Sequence, residues 1–194
     1  MRFVVAVTLF VVAGLVAAPA VRAQSEAEAE AEGYGVGRRD LTGGIVVLYP
    51  VVAEPAGPTT SDVRPAGPPA ADGPFPLVVF VVDGDEEPEE YVSFLEPVVR
   101  QGYVVAIAGD ARSTIDRLLA LSAQPDGWLA GRLDPERIAV AGRVPVPGSD
   151  DPRIDAVAPL SADEQLGFDA EGERTEAALL ALLDAGLKPA TPTR

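Results

Sequence analysis

The sequence predicts an α/β protein, a three-layer sandwich built on a mainly parallel sheet. Three observations carry this. Apolar runs of strand length recur without alternation, as at 77–82 (LVVFVV) and 103–108 (YVVAIA). Such runs fit strands buried on both faces. Segments with apolar residues at helical spacing separate them, and strands alternating with helices imply parallel pairing through right-handed crossovers.

Each element follows in chain order. Residues 1–23 read as an export signal, with Arg2 as the positive start and an apolar run over 3–18. Val21, Arg22 and Ala23 then form a cleavage-like site before Gln24. An uncleaved anchor is the alternative, but the run is shorter than the ~20 residues a spanning helix needs, and Pro19 also favours removal. Residues 24–33 (QSEAEAEAEG) form an acidic low-complexity spacer with no apolar face to bury. The α/β domain is expected over 34–187, with a loose tail at 188–194.

Within the domain, the β-branched run 44–52 (GIVVLYPVV) predicts a strand. The Pro/Gly-rich stretch 53–76 predicts a long surface loop of polyproline character. Strand 77–82 and an acidic turn follow, then a helix over 89–101 presenting Tyr91, Phe94, Leu95, Val98 and Val99. Pro97 is expected to kink or restart that helix, and Gly102 to end it. After strand 103–108, Ile115, Leu118, Leu119 and Leu121 predict a helix with Ser113 or Thr114 as its N-cap. Residues 137–141 and 154–160 supply the third and fourth parallel strands, and 175–187 a final helix.

Composition narrows the function classes. The formal charge is −15, with 30 acidic against 15 basic residues, which disfavours nucleic acid and anionic lipid surfaces as partners. Export of the mature chain would remove Arg2 and Arg22 and deepen that charge. Cysteine is absent, so there is no disulfide, thiol nucleophile or thiolate metal site. Histidine is absent too, which removes the usual base beside a nucleophilic serine. The only lysine is Lys188, in the tail, so a Ser-Lys pair has no support. The Ala/Val-rich background points to a bacterial chain.

Three segments carry a family resemblance: 72–80 (DGPFPLVVF), 91–105 with its Gln101-Gly102-Tyr103-Val104-Val105, and 129–142 (LAGRLDPERIAVAG). Together they resemble secreted bacterial α/β-hydrolases of the dienelactone-hydrolase, chlorophyllase-like and polyester-hydrolase-like esterase group. The resemblance implies an α/β-hydrolase-like fold and carboxylic-ester hydrolysis. Each functional position of the family falls on a departure. The oxyanion loop that the family writes Ser-His-Gly-x-Gly-Gly aligns with residues 81–86, and so with Val82, Asp83 and Gly84. Carboxylates there would repel the charge an oxyanion hole exists to stabilise. At the nucleophile elbow, the family's histidine, serine and following residue fall on Arg143, Val144 and Pro145. Valine has no nucleophilic atom and proline no N–H to donate.

The segment after the elbow is too short for a crossover helix, because a strand is expected from Asp151. The chain also stops before the strands that would carry the family's acid and histidine. The expectation is therefore a degenerate, truncated hydrolase-like fold, exported and without catalysis of its own, leaving a binding or scaffold role. Two alternatives stand beside it: a serine esterase or lipase-like hydrolase, and a cell-envelope interaction protein tethered by its N-terminus.

Individual residues add little chemistry. Residues 83–90 (DGDEEPEE) hold six carboxylates, and Asp83, Asp85 and Glu86 are the candidate ligands for a hard cation. The spacing matches no EF-hand, and a solvated loop is the plainer reading. Ser149 is the hydroxyl nearest the elbow but sits in a turn without a base. Trp128 and Tyr91 could line a groove, although core packing accounts for both. No cofactor is expected. The missing helix is expected to leave sheet surface to be covered by the Pro-rich loop, the final helix or a homodimer partner.

Overall fold

The computed structural model describes residues 34–52, 63–65, 68–84, 86–143, 145–160 and 170–187. They belong to one compact unit, Gly33–Arg194. The predicted signal segment, the acidic spacer and the tail lie outside the described residues.

Among the described residues, seven strands form one sheet: β1 (Gly35–Leu41), β2 (Ile45–Val51), β3 (Val63–Pro65), β4 (Phe75–Val81), β5 (Val104–Ala108), β6 (Leu133–Arg143) and β7 (Ala156–Leu160). Their order is β3-β1-β2-β5-β4-β6-β7. Only β2 runs against its neighbours, pairing antiparallel with both β1 and β5. The pairs β4–β5, β4–β6 and β6–β7 are parallel, as the unbroken apolar runs require. Helices α1 (Val92–Arg100), α2 (Ala111–Ser122) and α3 (Ala170–Leu187) complete the layers.

Side-chain alternation divides the core. Val78, Phe80, Val105, Ile107, Ala139 and Ala141 face one way, where they meet Leu95, Val98 and Val99 of α1 and Leu179, Leu183 and Leu187 of α3. Leu77, Val79, Val104, Ala106, Ile138 and Val140 face the other, against Ile115 and Leu118 of α2. Both faces of the central strands are thus buried, and an alternating polar residue there would lack a solvent side.

The sheet is wider than the five strands expected at 44–52, 77–82, 103–108, 137–141 and 154–160. β1 (GVGRRDL) has poor strand composition and forms through tertiary pairing. It joins β2 by a short turn in which Gly43 and Gly44 take φ of 86° and 72°, conformations that L side chains resist. Gly37 lies flat against Tyr49, whose Cε2 would stand 2.4 Å from an added Cβ. The predicted loop at 53–76 also yields β3, beside β1, and the start of β4. Ala70 from its end is buried, its N–H donating to the Pro50 carbonyl at 2.8 Å.

Two helix predictions need correction. A 3₁₀ turn, Pro88–Tyr91, leads into α1, which then runs unbroken across Pro97. Proline removes one helical hydrogen bond, and here the burial of Val92, Phe94, Leu95, Val98 and Val99 outweighs that loss. The N-cap of α2 is Asp110, not Ser113 or Thr114: its carboxylate accepts the Ser113 N–H at 2.8 Å and the Ser113 hydroxyl at 2.5 Å. Asp110→Ala is expected to cost about 1 kcal/mol in urea unfolding, with Asp110→Asn closer to wild type.

No helix lies between β6 and β7 among the described residues. Their connection is instead a run of turns laid over α2. Val146 and Ile154 pack into the α2-side core, and an added Cβ at Gly148 would meet the Ala111 Cβ at 3.1 Å. Asp151 ties the connection down. Its side chain is 3% exposed and takes Arg153 Nε at 2.9 Å and Nη2 at 2.7 Å. The Arg153 backbone N–H adds a bond at 3.0 Å, and Arg112 of α2 approaches at 3.5 Å. Arg153 Nη1 reaches on to Asp116 of α2 at 2.6 Å. The residues expected to begin a strand at Asp151 therefore form an ion-paired turn, and β7 starts at Ala156.

α3 packs on the face of β7 that carries Ala158 and Leu160, while Val146 and Ile154 of the connection pack on the α2 side. Val157 of β7, on the face away from α3, is 41% exposed. On the opposite face Gly186 of α3 lies so close to Ala156 that an added Cβ would stand 2.5 Å from the alanine's own.

Candidate functional site

Open α/β sheets bind ligands at the carboxyl ends of their strands, where connections leave for opposite faces. In this chain the chain leaves β4 for α1 on one face and β5 for α2 on the other. The residues at that crest are Val82, Asp83 and Gly84 after β4, Gly109 and Asp110 after β5, and Gly142 and Arg143 ending β6. The structure therefore brings the oxyanion-loop positions and the elbow positions to the same end of the sheet. Val144 and Asp85 lie outside the described residues.

The loop after β4 is closed on itself. The Val82 side chain is buried in the α1-side core, and its N–H donates to the Ala108 carbonyl at 3.0 Å. The Asp83 N–H donates to Glu86 Oε2 at 3.2 Å, and the Glu86 N–H returns to the Asp83 carbonyl at 3.0 Å. The Glu86 carboxylate is therefore engaged by a backbone N–H of its own loop. Asp83 and Gly84 are exposed. Among the described residues, no three acidic side chains cluster as a metal site.

Tyr91 sits beneath this loop with its ring 5.0 Å from Phe80, so it serves the core rather than a groove. Burial, reinforced by Glu86, pushes its phenol up to about 12, while the Arg143 charge acts in the opposite sense. Trp128 likewise packs on Tyr49 at 5.1 Å, with the Arg39 guanidinium 4.8 Å over its ring.

At the elbow, Gly142 has φ of 152°, and an added Cβ would stand 2.6 Å from the Val81 carbonyl oxygen. The glycine lets β6 pass against β4 at the crest. Arg143 is partly buried, and its Nε is shielded from solvent with no hydrogen-bond partner among the described residues. Pro145 is exposed, as is Ser149, which sits in the turns of the β6–β7 connection. No base adjoins Ser149 in the contacts of the described residues.

The sequence places Asp151 at the start of a strand and gives no role to Arg153. The available signal was an Asp-x-Arg turn preceding the apolar Ile154, with Arg112 and Asp116 one helical turn apart on α2. Which residues of α2 would face that turn depends on the fold.

The three layers, the mainly parallel sheet and the crest at its strand ends define a three-layer α/β fold. No family model and no curated protein matches the chain. Among solved structures it is similar to a ferulic acid esterase from Streptomyces cinnamoneus, at 19% identity over 86% of this chain and 73% of that one, with a TM-score of 0.40.

Proposed function

We propose that this chain is an exported protein with a hydrolase-like fold and no ester hydrolysis of its own, acting as a binding or scaffold module. The observation that carries the reading is the self-closed loop after β4. The Asp83 N–H, which would face a developing oxyanion, already serves the Glu86 carboxylate. An oxyanion hole needs free donors aimed at the place where charge develops, and a resident carboxylate competes for them. The elbow supports the same reading, since positions 143–145 read Arg-Val-Pro and no histidine occurs in the 194 residues. Export rests on the apolar N-terminal run and on the cleavage-like site before Gln24.

The test is the purified protein against p-nitrophenyl acetate and butyrate, with a fluorophosphonate probe alongside. Hydrolysis at the buffer blank and no labelled serine are expected. Turnover that disappears with Ser149→Ala, or a phosphonylated Ser149 peptide, would replace this reading with the esterase one. N-terminal sequencing of protein from the culture medium should begin at Gln24. Retention in the membrane fraction with Arg2 still present would favour the tethered alternative.

A further inference from the structure

We propose that Asp83 is a site of spontaneous covalent modification, closing on Gly84 to a cyclic imide that reopens in part as an isoaspartyl linkage. The chemistry needs only water. The Gly84 nitrogen attacks the Asp83 side-chain carboxyl carbon, a C–N bond forms, and the amide proton leaves with a carboxyl hydroxyl as water. Water then adds to one of the two imide carbonyls. Opening at the side-chain carbonyl restores aspartate, whereas opening at the main-chain carbonyl routes the chain through Cβ. Glycine favours the first step because no Cβ shields its nitrogen.

The chain holds three Asp-Gly pairs, at 72–73, 83–84 and 126–127, and the fold treats them differently. At the first, the Asp72 carboxylate accepts the Tyr34 hydroxyl at 3.3 Å, and an added Cβ on Gly73 would stand 2.9 Å from the Phe75 ring. At the third, the Gly127 N–H donates to the Gln124 carbonyl at 3.1 Å. An added Cβ there would lie 3.2 Å from the Leu121 carbonyl oxygen. Both pairs are therefore held against the rotation that ring closure needs. Asp83 and Gly84 are exposed, and an added Cβ on Gly84 meets nothing within 4 Å. Neither the Asp83 carboxylate nor the Gly84 N–H has a hydrogen bond among the described residues. The bonds that close this loop use the Asp83 main chain instead. Its N–H donates to Glu86 Oε2 at 3.2 Å, and its carbonyl accepts the Glu86 N–H at 3.0 Å. Turning the Asp83 carbonyl into the imide breaks only the second. The product adds one backbone atom between β4 and the 3₁₀ turn, at the end of the sheet where α/β folds take ligands. The inference does not depend on whether the chain hydrolyses esters.

The experiment incubates the purified protein in H₂¹⁸O at neutral pH, folded and in concentrated urea, and locates the label by peptide fragmentation. Each passage through the imide places one ¹⁸O in the residue, and an isoaspartyl methyltransferase counts the isomer in parallel. All three pairs should take up label in urea. In the folded protein Asp83 should stay within about fivefold of its unfolded rate, since a single hydrogen bond opposes closure. Asp72 and Asp126 should fall by more than about tenfold, because their segments must first open. Gly84→Ala, for which the structure has open space, should slow labelling at Asp83 about tenfold. The proposal is overturned if the three pairs label alike in the folded protein, or if Asp83 is the slowest of them. It is also overturned if label at Asp83 comes without isoaspartate, or if Gly84→Ala labels Asp83 as wild type does.

Discussion

Gly142→Ala is expected to destabilise the protein by about 3 kcal/mol, lowering the thermal midpoint by roughly 10 °C. Two effects combine. The backbone at Gly142 has φ of 152°, outside the range an L side chain adopts without strain. The new Cβ would also meet the Val81 carbonyl oxygen at 2.6 Å, and that oxygen belongs to the backbone of the neighbouring strand. Neither a rotamer change nor a flexible neighbour relieves the clash. Gly44→Ala is the control that separates the two effects. Its φ is 72°, but an added Cβ there meets nothing within 4 Å, so strain alone should cost about 1 kcal/mol. Urea unfolding with an unchanged slope and a lowered midpoint is the measurement. Equal losses in the two variants would show that the crest at β6 is not tightly packed. With Arg143 and Val144 following it, this glycine is held by packing between strands, independently of any nucleophile.

Asp151→Ala should be the most damaging of the charge substitutions. The Asp151 carboxylate faces Arg153 and Arg112 from a position with 3% exposure. Its removal leaves Arg153 without its bidentate partner and loosens the turns that carry Val146 and Ile154 onto α2. Arg112→Ala should do much less, because that side chain is 57% exposed and retains a hydrated alternative. The pH dependence has a definite sign. Hydrogen bonds from Arg153 hold the Asp151 carboxyl far below the usual carboxylate range. The unfolded chain therefore takes up the proton first, near pH 4. The stabilisation is complete above that pH and is lost as the pH falls through the folded value. Asp110, held low by the Ser113 hydroxyl and N–H, acts in the same direction. Urea midpoints between pH 2 and 7 should fall on the acid side in wild type and flatten in Asp151→Asn. An identical acid limb in both proteins would show that the ion-paired turn does not form.

These two residues differ in how far a reader of the sequence could have reached them. Gly142 stood at the end of a recognisable strand, so its place at the crest was legible, though not its contact with Val81. Asp151 was one of thirty acids. Its role rests on a bidentate pair with Arg153, which reaches on to Asp116 of α2, and on Arg112, thirty-nine positions earlier, meeting the same turn in space. The same distinction holds at the candidate site. Residues 81–86 and 142–145 could be placed at strand ends from their apolar approaches alone. The bond from the Asp83 N–H to Glu86, and the isolation of the Arg143 guanidinium, depend on where side chains point.

What the residues determined by themselves was local and periodic. Unbroken apolar runs made β4 and β5 buried parallel strands, spacing of three and four made the helices, and the absent histidine removed the usual partner of a serine nucleophile. Tertiary structure decided what those signals do not encode. It recruited β1 and β3, whose own composition is poor for strands, by pairing them onto an existing edge. It carried α1 through Pro97 because one face had a core to join. It also replaced a crossover helix with a turn clamped by Asp151. The physical reason is the same in each case: these features draw their free energy from partners distant in sequence, and no local propensity reports them.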